Sequence, residues 1–181
     1  MTKIYQCMPI RRCFAKERWA RVSGIILAAT YVMLADALTK QWAERALDAG
    51  QPKRLVGSFF QLRLGHNTGV AFGALAGTGY VTLVVTSALV SGLLVWLIRT
   101  GARGVRAYWA VALVLGGGLA NIGDRLPDGR VTDFLDFGVG ALRWPAFNLA
   151  DSFIVVGIAI LVAVNMHESR EAGGKPPAEM S

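Results

Sequence analysis

The stretch FNLADSFIVVGIAILVAV, residues Phe147 to Val164, decides the fold class. From Ser152 onward it contains no charged residue. A helix crosses the hydrocarbon core of a bilayer with about 20 apolar residues, each rising about 1.5 Å. The stretch therefore predicts a membrane-spanning helix. Because an acid, Asp151, stands at its start, it also raises the question whether that acid caps the helix or takes part in chemistry.

The composition extends this prediction to the whole chain. Of the 181 residues, 54% are hydrophobic and 17% are charged, whereas a soluble domain carries about 25% charged residues. The apolar residues concentrate in four segments. These run from about Val22 to Lys40, within Gly73 to Ile98, from Ala107 to Gly123, and from about Asn148 to Met166. We therefore expect an α-helical integral membrane protein with four transmembrane helices, formed by residues 22–166.

The distribution of basic residues predicts the orientation. Lys and Arg collect on the cytoplasmic side of membranes, and here they are frequent in the tail 1–21 and between the second and third spans. Both termini are then cytoplasmic, and the tail 167–181 has a composition typical of disorder. A cleavable signal peptide ending at residues 35–37 is the competing interpretation. The acid Asp36 within the apolar run and the three further spans argue against it.

A short outer sheet is predicted after the first helix. Residues 60–64 alternate between apolar and polar side chains, and Gly65 and the turn-forming residues 67–69 follow. With both termini in the cytoplasm, this connection lies on the extracytoplasmic face.

The types and positions of the charged residues, cysteines and histidines disfavour nucleic-acid binding and a metal site. The net charge is +7, but the basic residues lie beside apolar segments instead of alternating with aromatic ones, so nucleic-acid binding is not expected. Cys7 and Cys13 lie in the basic tail, where a cytoplasmic location makes a disulfide unexpected. The histidines His66 and His167 provide no zinc-type spacing. We expect neither a metal nor a cofactor.

Ionisable residues at the membrane edge are costly to keep and are candidates for function. Asp36 and Lys40 are four residues apart, which predicts a structural ion pair on one helix face. The third helix ends in GGGLANIGDRLPDGRVTDFLDF, whose residues 116–118 and 120 are small enough for close helix packing. Within it, Arg125 is interpreted as the charge partner of its neighbour Asp124.

Three other acids remain. Asp133 and Asp136 have apolar neighbours and should resist ionisation. Asn148 precedes Asp151 by three residues, which is typical of a capping box. A helix N-terminus also stabilises a carboxylate by about 0.3–1 kcal/mol. Taken together, Asp133 and Asp151 are what a water-activating carboxylate dyad requires, in which one acid keeps a proton and Asp151 is the more frequent base.

Four sequence blocks then resemble lipoprotein signal peptidase, also called signal peptidase II. The blocks are NTGVAFG at 67–73, GGLANIGDR at 117–125, VTDF at 131–134 and FNLAD at 147–151. The resemblance implies an aspartyl endopeptidase of the bacterial inner membrane with its active site on the extracytoplasmic face. It implies removal of signal peptides from diacylglyceryl-modified prolipoproteins by cleavage before the lipidated cysteine. By matching motif positions, Asp133 and Asp151 are the catalytic residues.

The resemblance also implies roles for eight other residues. Those that bind substrate or support the site are Asn67, Gly69, Asn121, Arg125 and Asn148, and those in its framework are Asp36, Lys40 and Asp124. The implied partners are lipidated prolipoproteins, membrane lipids and cyclic peptide inhibitors of the globomycin type, with the chain acting as a monomer. Ala120 departs from the family pattern, which has glycine before the third-helix asparagine.

Two rival functions stay open from the residues alone. In a small channel or transporter, charged residues of the spans would line an ion path. In a serine peptidase, Lys40 would act as the base and Ser152 as the nucleophile.

Overall fold

The computed structural model describes residues 10–69, 79–100 and 105–173, which form four helices and a small sheet. In chain order the elements are α1 (Ile10–Ala46), β1 (Lys53–Val56), β2 (Phe60–Asn67), α2 (Gly79–Thr100), α3 (Val105–Asp128), β3 (Val131–Val139), β4 (Leu142–Arg143) and α4 (Leu149–Gly173).

Three helices within the described ranges are long and apolar enough to cross a membrane. The spans are Trp19–Ala46 in α1, Val105–Asp128 in α3 and Leu149–His167 in α4. Many large apolar side chains on these helices are exposed, for example Leu27 at 70% and Val155 at 66%, and lipid would cover them. The predicted second span corresponds to α2, and its first part, residues 73–78, lies outside the described residues. The number of four crossings therefore stays a prediction.

Helix α3 lies at the centre because three consecutive glycines let three helices approach it. A Cβ added to Gly116 would meet the backbone of α1 at 2.8 Å. At Gly117 it would meet the carbonyl oxygen of Ala150 in α4 at 2.5 Å, and at Gly118 it would meet Val90 of α2 at 2.5 Å. The prediction that small residues of the third helix permit close packing is confirmed, because no larger side chain fits at these positions.

The sheet has four antiparallel strands in the order β1-β2-β3-β4. The predicted alternating stretch forms β2, in which Leu62 is buried and Arg63 is exposed. The prediction of a sheet after the first helix is incomplete, because β3 and β4 follow α3. Sequence patterning missed β3 because the acids Asp133 and Asp136 interrupt its apolar residues and both are buried, so no alternation marks the strand.

The sheet is attached to the C-terminal end of α1. Ala43 of α1 and Leu47, the residue that follows the helix, form a buried cluster with Leu62 of β2 and Phe134 of β3. This packing places the ends of α1 and α3 and the start of α4 at the same end of the bundle. The candidate site is built there.

The first and last helices are longer than the sequence predicted. Helix α1 runs from Ile10 to Ala46, so residues 10–21 of the basic tail are helical and continue the span. Helix α4 runs to Gly173, which corrects the prediction of disorder for residues 167–173. Their Glu, Arg and Ala residues favour helix, and extending a formed helix avoids the cost of nucleation. Residues 174–181 lie outside the described part.

Gly117→Ala should destabilise the protein, since the new Cβ collides with the backbone of α4 at Ala150. Overpacking of this kind costs about 1–3 kcal/mol, or about 2–12 °C in melting temperature for a chain of this size. Gly123→Ala on the same helix is the matched control, because its Cβ meets nothing within 4 Å. It should leave stability unchanged or raise it by up to about 1 kcal/mol. Thermal unfolding in detergent measures both, and equal stability of the two variants would contradict the packing described.

Candidate active site

The segment before α4 is bonded to β3, and this brings the two predicted catalytic acids to one place. The amide of Phe147 donates to Leu135 O at 3.0 Å, and the amide of Leu135 donates back to Phe147 O at 2.8 Å. The rings of Phe137 and Phe147 stack with centroids 5.8 Å apart. As a result, the first turn of α4 starts beside the strand that carries Asp133.

A reciprocal capping box opens α4. The amide of Asp151 donates to Asn148 Oδ1 at 2.9 Å, and the amide of Asn148 donates to Asp151 Oδ2 at 3.3 Å. These bonds satisfy amides that the helix leaves without partners, so the predicted cap is confirmed. The second carboxylate oxygen, Oδ1, accepts a bond of 2.7 Å from Asn121 Nδ2. Asp151 therefore caps the helix with one oxygen and contacts another polar side chain with the other.

Asp133 is buried and is held by two side-chain amides. Its Oδ2 accepts from Asn67 Nδ2 at 3.1 Å, and its Oδ1 accepts from Asn148 Nδ2 at 2.8 Å. The side chain is 3% exposed, so these two bonds replace the water that a carboxyl group would otherwise bind. Asn148 thus contacts both acids.

The groups that donate to the side-chain oxygens of Asn67, Asn121 and Asn148 fix the orientation of these three amides. Asn67 Oδ1 accepts from the Gly69 amide at 2.8 Å, and Asn148 Oδ1 accepts from a backbone amide of α4. Asn121 Oδ1 accepts from Lys40 Nζ at 3.1 Å. An ammonium and a backbone amide can only donate. Each asparagine must therefore turn its NH₂ group toward an aspartate.

Burial, and after it the negative charge of Asp151, raise the pKa of Asp133 from its ordinary value of 3.8 to about 7. The bonds from Asn67 and Asn148 oppose this shift. Asp133 lies on a strand outside the spanning helices. A proton held there near neutral pH is what a carboxylate dyad needs, and the prediction that this acid resists ionisation is supported.

Asp136, the other acid of β3, lies elsewhere. It forms an ion pair with Arg143 at 2.9 Å and accepts from Gln61 Nε2 at 2.7 Å. Arg143 also donates to Ser58 O. These contacts join β4 and the β1–β2 turn to β3, so Asp136 has a structural role.

The framework residues form a buried ion network. Lys40 Nζ lies 2.6 Å from Asp36 Oδ2 and 3.1 Å from Asp124 Oδ2. The predicted pair of Asp36 and Lys40 is confirmed. The predicted pairing of Asp124 with its neighbour Arg125 is wrong, because adjacent helix residues point about 100° apart and Asp124 faces Lys40 of α1.

Arg125 instead supports the loop after β2. Its NH2 group donates to Gly69 O at 2.9 Å and its NH1 group donates to Asn121 O at 3.3 Å. The guanidinium is buried and its charge attracts Asp151 and Asp133. This explains why Gly69 and Arg125 belong to the same site. Residues 70–73 of the first sequence block lie outside the described residues.

Both acids line a cavity of about 650 Å³. Apart from Thr86 and Ser152, its polar lining consists of predicted site residues, and its remaining wall is largely apolar. The lining residues that sequence reasoning missed are Thr86, Val131, Trp144, Pro145, Ala146, Phe147, Ile154, Val155 and Val156. Ile154 and Val155 could have been found, because they follow Asp151 by three and four residues and share its helix face. Thr86 of α2 had no local signal.

The contacts count against both rival functions. Lys40 is committed to the buried network, while Ser152 Oγ donates to Asn148 O at 3.1 Å within its own helix. A Ser-Lys mechanism would need these two groups together. A charged path through the spans is likewise disfavoured, because Asp36 and Lys40 are 1% and 4% exposed and are paired with each other. Within the described residues, no group of three His, Cys, Asp or Glu side chains is arranged to hold a metal ion.

Comparisons with known proteins identify related chains. A family model described as signal peptidase (SPase) II matches residues 28–166. The lipoprotein signal peptidase of Cellvibrio japonicus is 37% identical over 156 residues, covering 83% of this chain and 91% of that protein. That of Paraburkholderia phymatum is 39% identical over 167 residues, covering 89% and 98%.

Two solved structures, both described as bacterial membrane enzymes, share the fold. One has a TM-score of 0.74 at 24% identity and covers 88% of this chain and 96% of its own. The other has a TM-score of 0.69 at 26% identity and covers 79% and 92%. The bundle and the sheet are thus an arrangement found in other membrane enzymes.

Titration of the Asp133 carboxyl group should show that Asp133 holds the proton that the pair of Asp133 and Asp151 shares. We expect the carboxylic acid signal of Asp133, followed by infrared difference spectroscopy, to disappear with a midpoint near pH 7 and to be absent in Asp133→Asn. Because the folded protein binds this proton more tightly than the unfolded chain does, stability should decrease as pH rises from about 4 to about 7. Asp133→Asn should lack that decrease. A midpoint near 4 would contradict the environment described for Asp133.

Proposed function

The chain belongs to the signal peptidase II family, and on that premise we propose that it is an aspartyl endopeptidase that removes signal peptides from diacylglyceryl-modified prolipoproteins. The cut falls before the lipidated cysteine. The observation that carries this proposal is the cavity lined by both Asp133 and Asp151, in which the first acid holds a proton near neutral pH and the second caps a helix.

The two acids have different roles in the reaction: Asp151 is the base and Asp133 is the proton donor. Asp151 as the carboxylate removes a proton from a water molecule, and the water oxygen bonds to the carbonyl carbon of the scissile amide. Asp133 gives its proton to the carbonyl oxygen, so a neutral tetrahedral diol forms. In the second step Asp133 recovers a proton from the diol while Asp151 protonates the leaving nitrogen, and the C–N bond breaks. Such proton transfers contribute about 10²–10⁴-fold each to rate.

The surrounding donors keep this division stable. The helix N-terminus favours the anion at Asp151, and Asn121 donates to it at 2.7 Å. Asp133 is more deeply buried, and the bonds that it accepts from Asn67 and Asn148 do not offset the effect of burial on its pKa. The pair titrates as a unit, and burial of Asp133 supports Asp151 as the more frequent base.

The cavity wall suits a lipidated substrate. Both acids line the cavity together with apolar side chains that include Phe147, Val155 and Val156. The acyl chains can stay among lipids while the peptide bond reaches the acids, and holding a substrate by a remote group accelerates reaction at a nearby bond. Membrane lipids are therefore direct neighbours of the bound substrate.

The location follows from the same proposal. The chain is a membrane protein, and we assign it to the bacterial inner membrane with four crossings and cytoplasmic termini, as the basic residues indicate. The sheet and the dyad then lie on the extracytoplasmic face, where prolipoproteins arrive. We assign activity to the monomer, since both acids come from one chain, and we expect inhibition by cyclic peptides of the globomycin type.

Cleavage of a lipidated prolipoprotein in proteoliposomes tests the mechanism. Asp133→Asn and Asp151→Asn should each lower kcat by at least about 10³-fold, because each removes a proton-transfer group. Asp128→Asn is the matched control, since Asp128 is an exposed acid paired with Arg130, and it should retain full activity. Ser152→Ala should keep most of its activity. Full activity in either dyad variant would defeat the dyad, and loss in Ser152→Ala alone would favour a serine mechanism.

The pH dependence provides a second test. Because the active form needs a proton on Asp133, kcat should fall about tenfold per pH unit above about pH 7. The rate constant for a single turnover of lipidated substrate measures this directly. A rate that stays constant to pH 9 would rule out Asp133 as the proton donor.

A further inference from the structure

Glu44, an exposed residue of α1, contacts β2 and β3, the two strands whose residues Asn67 and Asp133 line the cavity. Glu44 Oε1 accepts from His66 Nε2 at 2.8 Å and from Thr132 Oγ1 at 2.9 Å. His66 belongs to β2 and Thr132 to β3, and the two are direct partners in the sheet. One carboxylate oxygen thus joins a spanning helix to two paired strands.

His66 is followed by Asn67 in β2, and Thr132 is followed by Asp133 in β3. Side chains alternate between the faces of a strand, so His66 and Thr132 face α1 while Asn67 and Asp133 face the cavity. Asn67 donates to Asp133 across the two strands. Any rotation of the strand ends about their axes would therefore move the catalytic carboxyl group.

The pairing of the two strands is irregular next to this end. The pairing of β2 and β3 shifts register between Leu62 and Gly65, and Gly65 is the partner of Asp133. A glycine offers no side chain to pack beside the acid. The Thr132 amide is already bound by Asp124 Oδ2 at 3.0 Å, and the Glu44 contact is the second attachment at the same residue.

We propose that Glu44 is a positioning residue that holds Asp133 in line with Asp151 by bonding Thr132 and His66 from outside the cavity. This inference rests on the proposed peptidase function and assigns a role to a residue that touches neither substrate nor the dyad. Glu44 acts as a hydrogen-bond acceptor, and the property that matters is the contact of its oxygen with both strands.

If Glu44 and His66 formed only a surface ion pair, without a positioning role, loss of the contact would have different consequences. Exposed pairs contribute about 0–1 kcal/mol to stability, and the side chains of Glu44 and His66 are 39% and 44% exposed. Loss of the contact should therefore change the melting temperature little in either case. Only a positioning role predicts a change in the chemical step.

The test compares Glu44→Ala, Glu44→Gln and Asp128→Ala in the cleavage assay with lipidated prolipoprotein. We expect Glu44→Ala to lower kcat about tenfold with KM within about twofold, because misplacing a reacting group acts on the chemical step. Glu44→Gln keeps an oxygen acceptor and should recover kcat to within about threefold of the unmodified chain. Asp128→Ala removes an exposed acid at the end of α3 whose pair with Arg130 stays within its own turn, and its kcat should not change.

Thr132→Val and Thr132→Ser keep the test decisive if Glu44→Ala fails to fold. The valine variant removes only the hydroxyl and should lower kcat, while the serine variant should restore it. Unchanged kcat in Glu44→Ala or Thr132→Val would overturn the proposal, as would an equal loss in Glu44→Gln, which would assign the effect to charge. Activity in Asp133→Asn would instead defeat the proposed function, so the two failures are distinguishable.

Discussion

One buried ammonium group, that of Lys40, connects the elements that form the site. Its three hydrogens have three acceptors, on Asp36, Asp124 and Asn121. Asp36 in turn accepts from the Ala150 amide at the start of α4, and Asp124 accepts from the amide that precedes Asp133 in β3. A buried charge must be fully paired or it destabilises strongly. The pairing of this one cation therefore requires α1, α3, α4 and β3 to meet in a single arrangement.

The same network sets the direction of the dipoles in the cavity. Lys40 donates a hydrogen bond to the side-chain oxygen of Asn121, so the NH₂ group of that amide points at Asp151. Asn67 and Asn148 are turned by backbone amides in the same sense. Dipoles that are already oriented need no reorganisation when charge moves during a reaction, which is the usual basis of electrostatic catalysis. In the proposed mechanism the ion network thus orients a donor of the site although Asp36, Lys40 and Asp124 do not line the cavity.

Much of the fold and part of the site could be predicted because their signals are local. A long apolar run marks a span, and the spacing of Asn148 and Asp151 marks a helix start. The third strand had no such signal, because buried acids interrupt its pattern. The partner of Asp124 depends on the direction of side chains on two packed helices, and the neighbour Arg125 was the wrong guess for that reason. The contacts of Glu44 likewise join residues that are distant in sequence and exist only in the assembled fold.

The cap of α4 has a consequence for how this chain can vary. The two oxygens of Asp151 serve different neighbours: one binds the Asn148 amide and the other binds the Asn121 side chain. Asparagine or glutamine at this position could still accept from the Asn148 amide, but neither supplies an acid to the cavity. Under the proposed function, the same two oxygens serve both the helix start and the chemistry. A change to asparagine keeps one acceptor for the helix start and removes the acid, so position 151 can lose the proposed activity while the fold persists.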